Sequence, residues 1–236
     1  MRERKTLDMI EFVLLDLDDT ILDFHKAEDL ALRDTLRAFG VEPCDELVAL
    51  YSEINDSQWK LLEQGLLTRP EVKLRRFELF FERIGVQADA EAARAFYEKR
   101  LGVGHIFLPG ALEMLERLFG KYRLFIVSNG TTAVQTSRLA SADIGRYFEK
   151  IFLSEEVGSV KPEKLFFERC FSEIPGFDPD RAIIFGDSLT SDIQGGINAG
   201  IRTCWFNPHG KAGREDILPD FEVRTHEEFE ALLERL

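Results

Sequence analysis

Asp16 and Asp18 stand two residues apart, directly behind the apolar run Phe12-Val13-Leu14-Leu15. At the period of a strand both side chains project to the same side. Two carboxylates held together repel unless a cation or a shared proton intervenes. Taken alone, such a pair reads equally well as an acidic turn in water. Ser128-Asn129-Gly130 follows a second apolar run. Its hydroxyl, its flexible glycine and the amides of the next turn suit an anion, or simply an ordinary turn. In Lys161-Pro162-Glu163, Pro162 fits the first position of a helix and Glu163 its first turn. Lys161 would then stand at a helix N-terminus, a poor place for a cation unless an anion shares it; otherwise it is a solvated surface lysine. Gly186-Asp187-Ser188 closes a third run, and Asp192 comes five residues after Asp187. There it falls on the first turn of the next helix, where a carboxylate also suits the dipole.

These groups need elements to hold them. Short runs that are apolar on both faces read as buried strands of a parallel sheet. Phe12-Val13-Leu14-Leu15, Leu124-Phe125-Ile126-Val127, Ala182-Ile183-Ile184-Phe185 and Arg202-Thr203-Cys204-Trp205 are of this kind, and Ile151-Phe152-Leu153 is a weaker fifth. Helix-period stretches at 111–119 and 162–174 lie between them, so the class is α/β, a parallel sheet covered on both faces. The chemical groups then fall at the carboxyl ends of successive strands, the edge at which open α/β sheets bind ligands.

Between Phe24 and Phe107 no strand-like run occurs. Four helical segments are punctuated by Gly40, Gly65, Gly85 and Gly102, each suited to a left-handed cap. Thr68-Arg69-Pro70-Glu71 is a capping box, and Asp89 is an N-cap for the last segment. The expected division is a core of residues 1–22 and 109–236 and an all-helical insert of residues 23–108, with hinges at Leu22-Asp23-Phe24 and Leu108-Pro109-Gly110. Residues 225–236 read as a short amphipathic helix packed on the core.

The combination is far more specific than its parts: a carboxylate pair, a hydroxyl, a lysine and a second carboxylate pair, in that order. Carboxylate oxygens are the hard ligands that Mg²⁺ prefers, and a lysine and a hydroxyl suit a phosphoryl group. On these residues the chain resembles the haloacid dehalogenase superfamily, phosphatase branch. Asp16-Leu17-Asp18-Asp19-Thr20 matches its first motif, Ser128 its second, Lys161 its third, and Gly186-Asp187-Ser188 with Asp192 its fourth. The resemblance covers essentially the whole chain. It implies a Rossmann-like core with an inserted helical cap of the C1 type, a four-helix bundle. A narrower resemblance, to the noncanonical pyrimidine 5′-nucleotidases, rests on Asp23-Phe24-His25-Lys26-Ala27-Glu28, Ser154-Glu155-Glu156-Val157-Gly158, the stretch 191–200 and Thr203-Cys204-Trp205-Phe206-Asn207.

What the resemblance implies is hydrolysis of a phosphomonoester through an aspartyl-phosphate. Asp16 would be the nucleophile and Asp18 the acid and then the base. Asp16, the main-chain carbonyl of Asp18, Asp187 and Asp192 would hold Mg²⁺, and Ser128, Asn129, Gly130 and Lys161 would bind the phosphoryl group. Substrate choice is expected in the cap, with Arg76, Trp59 and His25 as candidates. Trp59 also falls at helical core spacing. A sugar-phosphate or phosphoglycolate phosphatase would share every catalytic residue. The dehalogenase reaction does without the second aspartate, here Asp18. A silent phospholigand-binding protein would not need the Asp16/Asp18 pair.

Composition narrows the partners. Among 236 residues, 30 Lys+Arg face 43 Asp+Glu, a net charge of −13. Such a chain does not coat nucleic acid or an anionic membrane. Three scattered cysteines without a paired motif point to a reducing compartment. The basic start (Arg2, Arg4, Lys5) is followed by an apolar run cut at once by Asp16, so neither a signal peptide nor a membrane span is expected. The expectation is a cytoplasmic enzyme, monomeric or homodimeric, acting on a small phosphate ester.

Overall fold

A computed structural model describes residues 9–236; Arg2, Arg4 and Lys5 lie outside them. Six strands form one sheet in the order β3-β2-β1-β4-β5-β6. They are β1 (Phe12–Leu15), β2 (Arg123–Ser128), β3 (Lys150–Leu153), β4 (Ala182–Gly186), β5 (Arg202–Phe206) and β6 (Phe221–Val223), and every pairing is parallel. β1 is buried at all of its four positions, which is why it reads as an unbroken apolar run. Its register sets Leu15 opposite both Ile126 and Phe185. The chain therefore leaves β1 between the carboxyl ends of its two neighbours. There the connections turn to opposite sides of the sheet, the switch point at which doubly wound sheets bind ligands. β6 is not recognisable in the sequence: three residues at the sheet edge, with Glu222 exposed, carry almost no periodic signal.

The chain divides into two compact units. The helical unit holds α1 (Phe24–Ala38), α2 (Asp45–Glu63), α3 (Arg69–Ile84) and α4 (Ala90–Leu101). It also takes in Ala133–Ala142, part of a helix that the sequence assigns to the core. Tyr51, Phe77, Phe80 and Tyr97 form its aromatic centre, with Tyr51 edge-on to Phe80 at 5.5 Å. The Thr68 amide donates to Glu71 Oε2 at 2.7 Å, and Asp89 accepts from the amides of Glu91 and Ala92. Gly40, Gly65 and Gly85 have φ of 75°, 71° and 68°, the left-handed values expected of caps. Gly102 does not: its φ is −61°. The approach is close there: a Cβ would lie 3.2 Å from Ser137 Oγ, so Ser137 would have to give slightly.

In the sheet unit, α5 (Ala111–Leu118) precedes β2, α6 (Thr132–Ala142) begins after it, α7 (Ser154–Val157) and α8 (Lys164–Ser172) follow β3, α9 (Gln194–Ala199) follows β4, and α10 (His226–Leu233) closes the chain. Phe12, Leu14, Phe125, Val127, Phe152, Phe166 and Phe167 fill one core. Phe229 of α10 stacks on Phe185 of β4, with ring centroids 4.0 Å apart. α8 starts two residues later than the sequence suggests. Pro162 sits instead in a turn closed by the Glu163 amide on Val160 O at 2.8 Å, so Lys161 is not at a helix N-terminus. No helix among the described residues is long and apolar enough to cross a membrane.

Candidate active site

The loop behind β1 folds into a tight turn. The amides of Ile21 and Leu22 both donate to Leu17 O, and Asp19 takes a left-handed φ of 56°. This brings Thr20 back over Asp16. Thr20 Oγ1 donates to Asp16 Oδ2 at 3.3 Å and accepts from the Asp187 amide at 3.1 Å. One fully buried hydroxyl thus joins the ends of β1 and β4.

Lys161 lies at the centre of the site, only 2% exposed. Its Nζ donates to Asp16 Oδ1 at 2.7 Å, Asp192 Oδ1 at 2.6 Å and Val127 O at 2.8 Å. All three ammonium donors are therefore accepted by the chain's own oxygens. The Asn129 side chain holds the Lys161 main chain from both sides, donating to its carbonyl and accepting from its amide, each at 2.9 Å. Asp192 stands on a wide helical turn, Leu189–Ile193, with Oδ2 accepting from the Ser188 amide at 3.1 Å. Gly186 makes that placement possible: a Cβ there would lie 2.3 Å from Asp192 Oδ2. Ser128, 1% exposed at the end of β2, accepts from the Gly130 amide at 3.0 Å.

The carboxylates of Asp16, Asp187 and Asp192 each offer an oxygen within 4.8 Å of the other two. One lysine does not balance three such groups. Burial pushes the Asp16 carboxyl up to about 7, against the pull of Lys161 and with the repulsion of Asp192 and Asp18. Burial likewise drives Asp187 well above the usual carboxylate range, helped by Asp16, Asp192 and Asp19. Desolvation draws Lys161 down, but Asp16 and Asp192 outweigh it and the net direction is upward. Three converging hard oxygens with an excess of negative charge are a donor set that fits Mg²⁺. The Asp18 side chain, half-buried, stands outside this group of three.

Asp16, Ser128, Lys161, Asp187 and Asp192 are thus brought to one edge of the sheet, as their positions behind the strands suggest. The Asn129 side chain is engaged on the main chain of Lys161, so any part it takes in binding a phosphoryl group falls to its main-chain amide. Thr20 and Gly186 lie inside the motifs, yet nothing in the sequence gives them a role, since their partners lie far along the chain or depend on close approach.

The cap candidates belong to the helical unit. Arg76 is 3% exposed and donates to Asn55 Oδ1 at 3.0 Å, with Tyr97 under its guanidinium at 4.9 Å and Glu98 at 3.7 Å. Trp59, half-buried, donates to the same Asn55 oxygen at 3.0 Å. Glu28 accepts from Asn55 at 2.8 Å, completing a buried polar seam across the helices. His25 is exposed on α1. These partners hold the Arg76 guanidinium inside the bundle, among Asn55, Tyr97 and Glu98. Arg76→Met should lower the stability of the helical unit by about 1.5–3 kcal/mol, because buried Asn55 loses a charge-assisted hydrogen bond and buried Glu28 a nearby cation. Thermal melting should register this while KM stays unchanged; unchanged melting with a raised KM would return Arg76 to the substrate.

The fold and this site define a class. Residues 13–206 match the haloacid dehalogenase-like hydrolase family, and the chain belongs to it as a hydrolase. The HAD-hydrolase YfnB of Bacillus subtilis is 38% identical over 94% of both chains. A crystal structure of YfnB bound to magnesium superposes with a TM-score of 0.92, covering 96% of this chain and 99% of that one. Pyrimidine 5′-nucleotidase PynA of Streptococcus pneumoniae is 37% identical over 92% of both chains. Pyrimidine 5′-nucleotidase YjjG of Escherichia coli is 32% identical over 94% of this chain and 97% of its own.

Proposed function

We propose that this protein is a phosphatase that hydrolyses the 5′-phosphomonoesters of pyrimidine nucleosides through a phosphoaspartate. The observation that carries the reading is Asp16, a buried carboxylate at the switch point of the sheet, held by Lys161 on one oxygen and by Thr20 on the other. Asp16 attacks phosphorus and becomes an acyl phosphate while the P–O bond to the nucleoside breaks. Asp18 gives its proton to the departing oxygen. It then takes a proton from the water that attacks phosphorus, releasing phosphate and restoring Asp16. Its side chain stands outside the three carboxylates that would hold the cation, which supports giving the two carboxyls different roles.

Asp16, Asp187 and Asp192, with the main-chain carbonyl of Asp18, would hold Mg²⁺. When bound, it supplies positive charge that offsets the carboxylates and the incoming phosphoryl oxygens. Lys161 acts toward the substrate through its charge and by fixing Asp16 and Asp192, since its N–H groups are already taken. Ser128 and the amides of the turn behind it suit the phosphoryl oxygens. The pyrimidine preference is supported by the similarity to PynA and YjjG over nearly the full chain. The unpaired state of Cys44, Cys170 and Cys204 supports a reducing, cytoplasmic setting.

The test is phosphate release from a panel of pyrimidine and purine monophosphates and sugar phosphates in the presence of Mg²⁺. Uridine, thymidine and cytidine 5′-phosphates should lead by kcat/KM. Release chiefly from sugar phosphates would sink the nucleotidase reading and keep the phosphatase. No release from any ester would point to a phospholigand-binding protein.

A further inference from the structure

His226 opens α10, and its ring is 1% exposed. Nε2 stands 2.8 Å from the carbonyl oxygen of Thr20, and Nδ1 stands 2.9 Å from that of Pro109. Carbonyl oxygens only accept, so these contacts draw on the ring's N–H groups, of which the neutral ring has one and the protonated ring two. The ring cannot swing away: Phe206 lies at 4.7 Å, Phe185 lies edge-on at 5.9 Å, and Phe229 of the same helix is stacked on Phe185. Thr225 caps the helix by accepting from the Glu228 amide. A rigid donor is thus aimed at the main chain of the residue whose hydroxyl joins Asp16 to the Asp187 amide.

We propose that His226 is a positioning residue for the reaction. By holding the Thr20 carbonyl it fixes the Thr20 hydroxyl, and through that hydroxyl the Asp16 carboxylate and the end of β4. The contact to Pro109 anchors the ring itself. Thr20 lies just before the chain leaves the sheet unit and Pro109 just after it returns, so one side chain staples exit to re-entry. This inference rests on Asp16 as nucleophile.

The two contacts can be separated, because a glutamine amide reaches the place of Nε2 and an asparagine amide that of Nδ1. H226Q keeps the donor to Thr20, and H226N keeps only the one to Pro109. With uridine 5′-phosphate and Mg²⁺, H226N should lower kcat by about 10- to 100-fold with KM little changed, the scale of losing an orienting partner. H226Q should recover most of that loss. T20V, which keeps the carbonyl and removes the hydroxyl, should lower kcat by a similar factor, and H226N should then add nothing further in the T20V background.

Equal losses in H226N and H226Q, additive losses with T20V, or a change in melting temperature alone would overturn the proposal and leave a packing role. Should H226N not fold, T20V decides by itself: an unchanged kcat refutes the relay. Hydrolysis surviving in D16N would overturn the reading of Asp16 and this inference together. Loss in D16N with equal H226N and H226Q would overturn the inference alone.

Discussion

Asp16→Asn is expected to reduce phosphate release by about 10,000-fold or more while the protein stays folded, since removal of a covalent nucleophile commonly costs that much. The substitution is nearly isosteric: the amide oxygen can still accept from Lys161 Nζ in place of Asp16 Oδ1, and the amide nitrogen can donate to the Thr20 hydroxyl in place of Oδ2. What is lost is the ionised oxygen that would bond to phosphorus. Stability should change little, because two electrostatic effects oppose each other. The Lys161–Asp16 ion pair at 2.7 Å disappears, while the repulsion of Asp16 by Asp192 and Asp18 disappears with it. Lys161 keeps Asp192 at 2.6 Å, so no buried cation is stranded. Wild-type and D16N protein compared by phosphate release and by thermal melting settle the point. Retained turnover would place the nucleophile elsewhere, and a collapsed melting curve would make Asp16 chiefly structural.

That Asp16 is legible at all follows from how strands carry side chains. Asp16, Ser128 and Asp187 ride on the ends of β1, β2 and β4, whose apolar runs are unmistakable and whose parallel register sets the ends side by side. Local sequence then predicts placement, and the family resemblance rests on those same positions. Lys161 is legible by residue type but not by local setting: a turn, not a helix start, presents it, and Asn129 holds that turn from across the site. Such a partner is invisible in sequence, because its hydrogen bonds join residues 32 apart.

Thr20 shows the same limit more strongly. Its role depends on an amide 167 residues away, and that of His226 on a carbonyl 206 residues away. In the helical unit the difficulty is rotational. A helix shows a different face every few residues, and a cation near the seam can turn outward or inward with almost the same pattern. Arg76 reads as a substrate contact in the sequence and turns inward in the fold, where Asn55, Tyr97 and Glu98 receive it. β6 escapes notice because three edge residues give too short a pattern to count.

Removing divalent metal is expected to silence the enzyme and to change how its stability depends on pH. In the metal-free chain burial raises the Asp16 carboxyl from its ordinary 3.8 to about 7, and Asp187 moves in the same direction. A folded state that binds a proton more tightly than the unfolded chain loses stability as pH climbs between those two values. The stabilising contribution is therefore complete below the unfolded value and gone above the folded one. A bound divalent cation reverses the trend, because it takes the ionised carboxylates and binds better as the proton leaves. The gap in melting temperature between Mg²⁺-loaded and chelated protein should thus widen from pH 5 to pH 8. At a metal concentration about a hundred times Kd, it should reach about 5–10 °C at the upper end. Scanning calorimetry at each pH measures the gap, and phosphate release in chelator, then with Mg²⁺ restored, measures the activity. Turnover that persists in chelator would overturn the metal assignment of Asp16, Asp187 and Asp192. A gap that does not vary with pH would show that the cation binds away from them.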